Sequence, residues 1–158
     1  MRWSARCSGP AAGPASSPRG SERRRVVEAA VTDTHPLLFH AAASRRLGRR
    51  AAAVFEAAER RAAVVYVPVA VLWECSLLAS ANRVDLQRSF GEFCADLFSS
   101  PAYQPFDLTP EQIYDADAHR PNRDPFDALI CAAARHLNLP LLSRDSDIRR
   151  SGLVEVIW

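Results

Sequence analysis

The sequence predicts an α/β domain built on a central, mainly parallel sheet with helices on both faces. Short apolar segments rich in β-branched residues alternate with longer segments whose apolar residues recur at helical spacing, the pattern of strand–helix–strand units. The first strand segment ends abruptly in polar residues, as buried strands that deliver groups to a site do. The 158 residues, 48% hydrophobic and 24% charged, have the composition of one globular domain and are enough to bury a core without disulfides.

Taken in order, VVEAAVT (26–32) reads as a buried strand that stops at Asp33-Thr34-His35. Leu47, Ala51, Val54, Phe55, Ala58 and Ala62 then form the apolar side of a helix, with Arg49, Arg50, Glu56, Glu59 and Arg60 opposite. VVYV (64–67) is a second strand, closed by Pro68. The next helix carries Val71, Leu72, Cys75, Leu78 and Ala79, with Glu74 beside that stripe. Asp85 is expected to cap a helix with Leu86, Phe90, Phe93 and Leu97 inward, followed by a loop containing Pro101 and Pro105. Thr109-Pro110-Glu111-Gln112 starts another helix, and Asp124-Pro125-Phe126-Asp127 opens one with Ile130, Ala133, Ala134 and Leu137 inward. PLLS (140–143) and VEVIW (154–158) close the chain as strands.

The formal charge of +2 conceals two regions. Residues 1–28 hold six Arg and two Glu, and residues 29–158 hold 14 Arg and 16 acids. Residues 1–25, rich in Arg, Pro, Ser and Ala without periodicity, are expected to be a flexible arm outside the domain of 26–158. Two origins compete for it, a basic tail that touches nucleic acid and a start codon assigned too early; the second is favoured because the fold begins cleanly at Val26. Met1–Ser21 lacks the apolar stretch of a secretory signal, no run approaches the roughly 18 apolar residues of a membrane span, and a cytoplasmic location is expected.

All 20 basic residues are Arg, which excludes a phosphate-loop Lys and a Schiff-base Lys. Six scattered Gly exclude the dinucleotide fingerprint and the nucleophile elbow. Cys7, Cys75, Cys94 and Cys131 form no C-x-x-C pair, so neither zinc nor redox chemistry is indicated, and the last three read as reduced thiols among apolar neighbours.

Four acids remain as candidates. Asp33 and Asp145 follow strands, where α/β sheets place their ligand sites; Asp127 lies in the first turn of a helix; and Glu74 is the one acid in an apolar helical segment. Each has a plainer alternative: a turn for Asp33 and Asp145, and a capping box with Asp124 for Asp127. Glu74 is harder to explain without a partner. If the four converge, their repulsion raises their pKa values and favours a divalent cation, and oxygen-only ligands suit Mg²⁺ or Mn²⁺. Such a cation is what phosphodiester hydrolysis needs.

The segments VTDTHPLLFH (31–40), RLGRRAAAVFEAAERR (46–61), VYVPVAVLWECSLL (65–78), RDPFDALICAAA (123–134) and PLLSRDSDI (140–148), in this order and spacing, resemble the PIN-domain family, in particular its VapC-like ribonuclease toxins of toxin–antitoxin pairs. The resemblance implies a three-layer α/β/α fold and an acidic Mg²⁺ or Mn²⁺ site that cuts single-stranded RNA to leave a 5′-phosphate and a 3′-hydroxyl. It places the family's acids on Asp33, Glu74, Asp127 and Asp145, with Asp124 as a rival to Asp127. Thr34, Ser143, Asp124 and Asp147 then accompany the site, with Asp33, Asp127 and Asp145 holding metal and Glu74 orienting or deprotonating water. It also implies a homodimer and a cognate antitoxin whose C-terminal segment covers the acids. Arg123 and Arg144, next in sequence to the acids, are the expected RNA contacts, with Arg120 a weaker candidate; His35 is expected near the site and His40, His119 and His136 in ordinary packing or surface roles. Two other readings remain: a PIN-like binding module without catalysis, and an aspartate-based phosphatase, which would want an acid where His35 stands.

Overall fold

Each strand but the last is followed by at least one helix before the next strand, so consecutive strands run the same way and their connections cross over the sheet. In the computed structural model, which describes residues 27–158, β1 (Ala29–Thr32) leads into α1 (Thr34–Ala41) and α2 (Arg49–Glu59). β2 (Val64–Pro68) is followed by α3 (Val69–Ser80) and α4 (Phe90–Ser99), and β3 (Tyr103–Phe106) by α5 (Pro110–Ala118) and α6 (Pro125–Leu137). β4 (Leu141–Leu142), α7 (Ser146–Ser151) and β5 (Val156–Ile157) complete the chain. The sheet order is β3-β2-β1-β4-β5, and all four pairings are parallel. The expected three-layer α/β/α fold is therefore present, with a wholly parallel sheet. The arm expected over residues 1–25 lies outside the described residues.

This order fixes where a site can be. The chain winds from β1 through β2 to β3 on one side, then returns to add β4 and β5 on the other, so winding reverses between β1 and β4. A crevice opens at such a point beyond the carboxyl ends of the strands. Val31, Val65, Val67, Leu141 and Leu142 from the strands are fully buried, packed with Phe55, Val71, Ile130 and Ile148 from the helices. Transfer of each of these large side chains from water is worth about 1.5–3 kcal/mol. Among the described residues no helix is long and apolar enough to cross a membrane.

The structure departs from the sequence reading in several places, among them the helix α7 between two closing strands that are each shorter than expected. β1 begins at Ala29 rather than Val26. A helix, α1, starts immediately after Asp33, its signal masked by Pro36, which falls in the first turn where a missing N–H costs nothing. α4 starts at Ser89, not Asp85: Ser89 and Glu92 exchange both bonds of a capping box, whereas Asp85 accepts from Gln87 N in a turn. The expected loop between Pro101 and Pro105 contains β3, an edge strand that tolerates Pro105 because one side of it pairs with no strand.

Gly48 caps α2 at an ordinary φ of −64°, so its role is steric rather than conformational. A Cβ there would lie 2.7 Å from the backbone and the ring of Trp158, the residue after β5, so the chain's last residue is seated directly on α2's first turn. Gly91, in the first turn of α4, has nothing within 4 Å of the corresponding position. Gly48→Ala is expected to destabilise the fold by about 1–3 kcal/mol through overpacking, and Gly91→Ala to stabilise it by up to about 1 kcal/mol. Urea denaturation midpoints of the two variants check this, and equal shifts would refute the seating of Trp158.

Candidate functional site

Asp33 occupies the turn from β1 to α1. Its backbone N–H donates to Leu142 O at 3.0 Å, continuing the β1–β4 ladder, and its side chain then caps α1 by accepting from Thr34 N at 2.6 Å. The other carboxylate oxygen accepts from Ser143 Oγ at 2.7 Å. One carboxylate thus joins the ends of both strands that flank the winding reversal. It is only 5% exposed. Burial pushes its pKa up to about 7, with the charges of Asp127 and Glu74 adding to the rise and the bonds from Ser143 and Thr34 opposing it.

The two hydroxyls link Asp33 to further acids. Thr34 Oγ1 donates to Glu74 Oε2 at 2.5 Å, which supplies the partner that Glu74 needs on the apolar helix α3. Ser143 Oγ accepts from Asp145 N at 3.0 Å. Asp145 in turn caps α7 through one oxygen, Oδ1, which accepts from Asp147 N and Ile148 N at 2.7 and 2.9 Å. Its negative charge at a helix N-terminus is favourable by a few tenths to about 1 kcal/mol.

Asp127 and Asp124 have separate tasks at the start of α6. Asp124 is exposed and spends its carboxylate as the N-cap, accepting from Phe126 N at 2.9 Å. Asp127 is half-buried and makes no return bond to Asp124; Asn122 Nδ2 donates to its Oδ2 at 2.6 Å. The capping-box alternative is therefore not formed. Burial, opposed by the Asn122 bond and reinforced by the neighbouring charges of Asp124, Asp145 and Glu74, raises the pKa of Asp127 to about 6. Asn122 escaped the sequence reading. Its signal was the Asx turn two residues before the cap, where Asn122 Oδ1 accepts from Asp124 N at 2.7 Å.

Asp127 thus lies within electrostatic reach of Asp33, Glu74 and Asp145, while the hydroxyls of Thr34 and Ser143 link the Asp33 segment to Glu74 and to the Asp145 backbone. Asp147 is directed elsewhere, to Arg150. Arg123 is exposed and has no hydrogen-bond or ion-pair partner among the described residues, whereas the Arg144 guanidinium lies 5.3 Å from the centre of the Phe39 ring. His35 is near the site, half-buried, its pKa held below the usual value by burial and by the charges of Arg144, Arg46 and Arg83. His40 packs instead against Phe55 and bonds the Tyr103 hydroxyl. The thiols of Cys75 and Cys131 are buried and pushed up to about 12, so neither is a nucleophile at neutral pH.

As the side chains stand, no three His, Cys, Asp or Glu among the described residues are arranged to hold an ion. The donor chemistry nevertheless fits a hard cation. Among the described residues, Glu74 Oε1, Asp127 Oδ1 and Asp145 Oδ2 have no hydrogen-bond partner, and none of the four acids pairs with an Arg or His. These are oxygen ligands with open lone pairs, of the kind Mg²⁺ and Mn²⁺ take.

The curated proteins yield no match to this chain. Among solved structures, the crystal structure of VapBC2 from Rickettsia felis bound to a DNA fragment from its promoter aligns over 81% of this chain and 96% of its own, at 12% identity and a TM-score of 0.58. FitAcB from Neisseria gonorrhoeae aligns over 80% of this chain and 94% of its own, at 18% identity and a TM-score of 0.47. The family model described as the PIN domain matches residues 30–152, from the second residue of β1 to the end of α7. With that match spanning the sheet's winding reversal and all four candidate acids, the chain belongs to the PIN-domain family.

Proposed function

We propose that the chain is a Mg²⁺- or Mn²⁺-dependent endoribonuclease, the toxin of a toxin–antitoxin pair, acting in the cytoplasm. The observation that carries this reading is the set of acids at the winding reversal, bonded to hydroxyl and amide groups rather than to cations. Membership of the PIN-domain family supports the nuclease class. The toxin assignment is supported by the resemblance to VapC-like sequences. A cognate antitoxin covering the acids, and a homodimer, belong to the same reading.

Asp33, Asp127 and Asp145 would hold the cation, with Glu74 beside them. When bound, it supplies charge neutralisation at the scissile phosphate and a water of lowered pKa. Glu74 would have Oε1 to orient an attacking water and accept its proton, because Thr34 already occupies Oε2. Ser143 and Thr34 hold the Asp33 carboxylate in one rotamer, and Asn122 fixes Asp127 through a single oxygen. Arg144 and Arg123 contact the RNA backbone.

Asp33→Asn keeps a good helix cap and the size of the side chain, so the variant is expected to fold and to lose cleavage of single-stranded RNA in Mn²⁺ by several orders of magnitude. A folded variant with full activity would falsify the site. Isothermal titration with Mn²⁺ should show uptake by the wild-type protein and weaker uptake by the Asp33→Asn and Asp127→Asn variants; uptake that ignores these substitutions points to a site elsewhere. Removing Asn122 by substitution with Ser, which preserves the turn acceptor but cannot reach Asp127, is expected to weaken Mn²⁺ binding about 10- to 100-fold.

The same carboxylate sets a pH dependence in metal-free protein. Folding raises the Asp33 pKa from 3.8 to about 7, so the folded state binds its proton more tightly than the unfolded state. Stability from this group is therefore complete below about pH 4, declines as pH rises toward 7, and is level above that, a loss of up to about 4 kcal/mol. In EDTA, Asp33→Asn should melt above the wild-type protein at pH 8 and together with it near pH 4. A wild-type advantage at pH 8 would show that Asp33 is not buried as a carboxylate under strain from its neighbours.

A further inference from the structure

Beside the acids lies a feature of opposite sign. Phe39, on the last turn of α1, has the Arg46 guanidinium 4.8 Å and the Arg144 guanidinium 5.3 Å from its ring centre. Those distances keep the two charges within about 10 Å of each other, one Debye length at 0.1 M salt. They repel, yet neither has an ion-pair partner among the described residues, whereas Arg88, Arg120, Arg135 and Arg150 all do. The two residues come from distant parts of the sequence: Arg46 from the α1–α2 connection, Arg144 from the turn after β4. The ring of Phe39 is what brings them together, by cation–π attraction worth about 0.5–1 kcal/mol each at an exposed site.

The pair is tied to the site. Arg144 stands between Ser143, which bonds Asp33, and Asp145, which caps α7. His35 packs 6.0 Å from Phe39 and follows Thr34, which bonds Glu74. An anion seated on Arg46 and Arg144 therefore borders the carboxylates on one side and open surface on the other, and the fold supplies no such anion from its own described side chains.

We propose that Arg46, Arg144 and Phe39 form a phosphate-binding site for the backbone of a single-stranded RNA, adjoining the carboxylates. Two guanidinium groups offer paired donors to phosphate oxygens, a geometry for which Arg is better suited than any other cation. The site rests on the ribonuclease reading for its choice of RNA, but its geometry is independent of the metal. It adds Arg46 and Phe39, which no sequence pattern marked, to Arg144.

The test is binding without cleavage. Fluorescence anisotropy of a labelled twelve-nucleotide single-stranded RNA is measured in EDTA across a range of NaCl, for the wild-type protein, Arg46→Gln, Arg144→Gln, the double variant, and Arg60→Gln. Arg60 caps the carboxyl end of α2, which leads to the start of β2 at the opposite end of the sheet. The slope of log affinity against log salt should fall by about 0.7 for each guanidinium removed at the site, and the double variant should bind on the order of tenfold more weakly at 0.1 M NaCl, with Arg60→Gln unchanged. A wild-type protein that binds no RNA, or a double variant with the wild-type slope, overturns the proposal. So does a double variant that loses only an oligoglutamate peptide measured in parallel, which would make the cluster a protein-docking site. Failure of the wild-type protein to cut RNA in Mn²⁺ would sink the ribonuclease reading while leaving this binding result intact.

Discussion

Asp33 is asked to do two things that oppose each other electrostatically. As the residue that ends β1, caps α1 and binds the end of β4 through Ser143, it must be buried, and burial disfavours its charge. The sheet's winding reverses at this point, so the two halves of the fold meet through it. The side chain has no room to relax, because both oxygens are already engaged and Asp33 N is part of the strand ladder. A carboxyl group pushed up to about 7 by its surroundings is the consequence of a parallel sheet that places it there. Much of the local arrangement follows from that constraint: the hydroxyls of Thr34 and Ser143, the position of Glu74 opposite Thr34, and the turn that carries Asp145.

The helix–strand alternation was legible because buried parallel strands and amphipathic helices leave strong periodic signals. The acids were legible for a related reason, since Asp33 and Asp145 follow strand segments and Glu74 stands out against Val71, Leu72 and Cys75. What escaped the sequence depends on pairing across distance. β3 contains two polar or imino positions, Gln104 and Pro105, that suit a solvent-facing edge but contradict a strand pattern read locally. α1 follows its strand without a linker, so its signal merges with that of β1. Asn122 is visible only as a turn residue until Asp127 is folded back toward it, and the partnership of Arg46 with Arg144 requires the ring of Phe39 from a third segment.

Charge placement separates two uses of arginine in this chain. Arg135 and Arg150 satisfy carboxylates on the helix surfaces, Asp115 and Asp147, which are far from the strand ends in role. Exposed pairs of this kind contribute little to stability, typically under about 1 kcal/mol, but they remove both charges from the local field. Arg46 and Arg144 are left without such partners among the described residues, and the four acids are likewise left without cations. The overall charge of +2 says nothing of this. Positive and negative groups stand next to each other unneutralised, one residue apart in the sequence at Arg144 and Asp145.

That the acids are held by hydroxyl and amide groups rather than by arginine is the more informative choice. An Arg fork would satisfy both oxygens of a carboxylate and cancel its charge, which would stabilise the empty fold while occupying the lone pairs a cation needs. A hydroxyl or an amide donates a single bond, orients the carboxylate, and leaves the charge in place. Thr34, Ser143 and Asn122 each do this for one acid, so Glu74 and Asp127 each retain an open oxygen in a partly desolvated setting. Burial raises both Asp33 and Asp127, and the charges of the neighbouring acids add to the rise. Any ligand that brings positive charge to the four acids relieves that repulsion and binds more tightly for it, whether a divalent cation or a guanidinium from a protein partner. A divalent cation and such a guanidinium would then compete for the same electrostatic deficit.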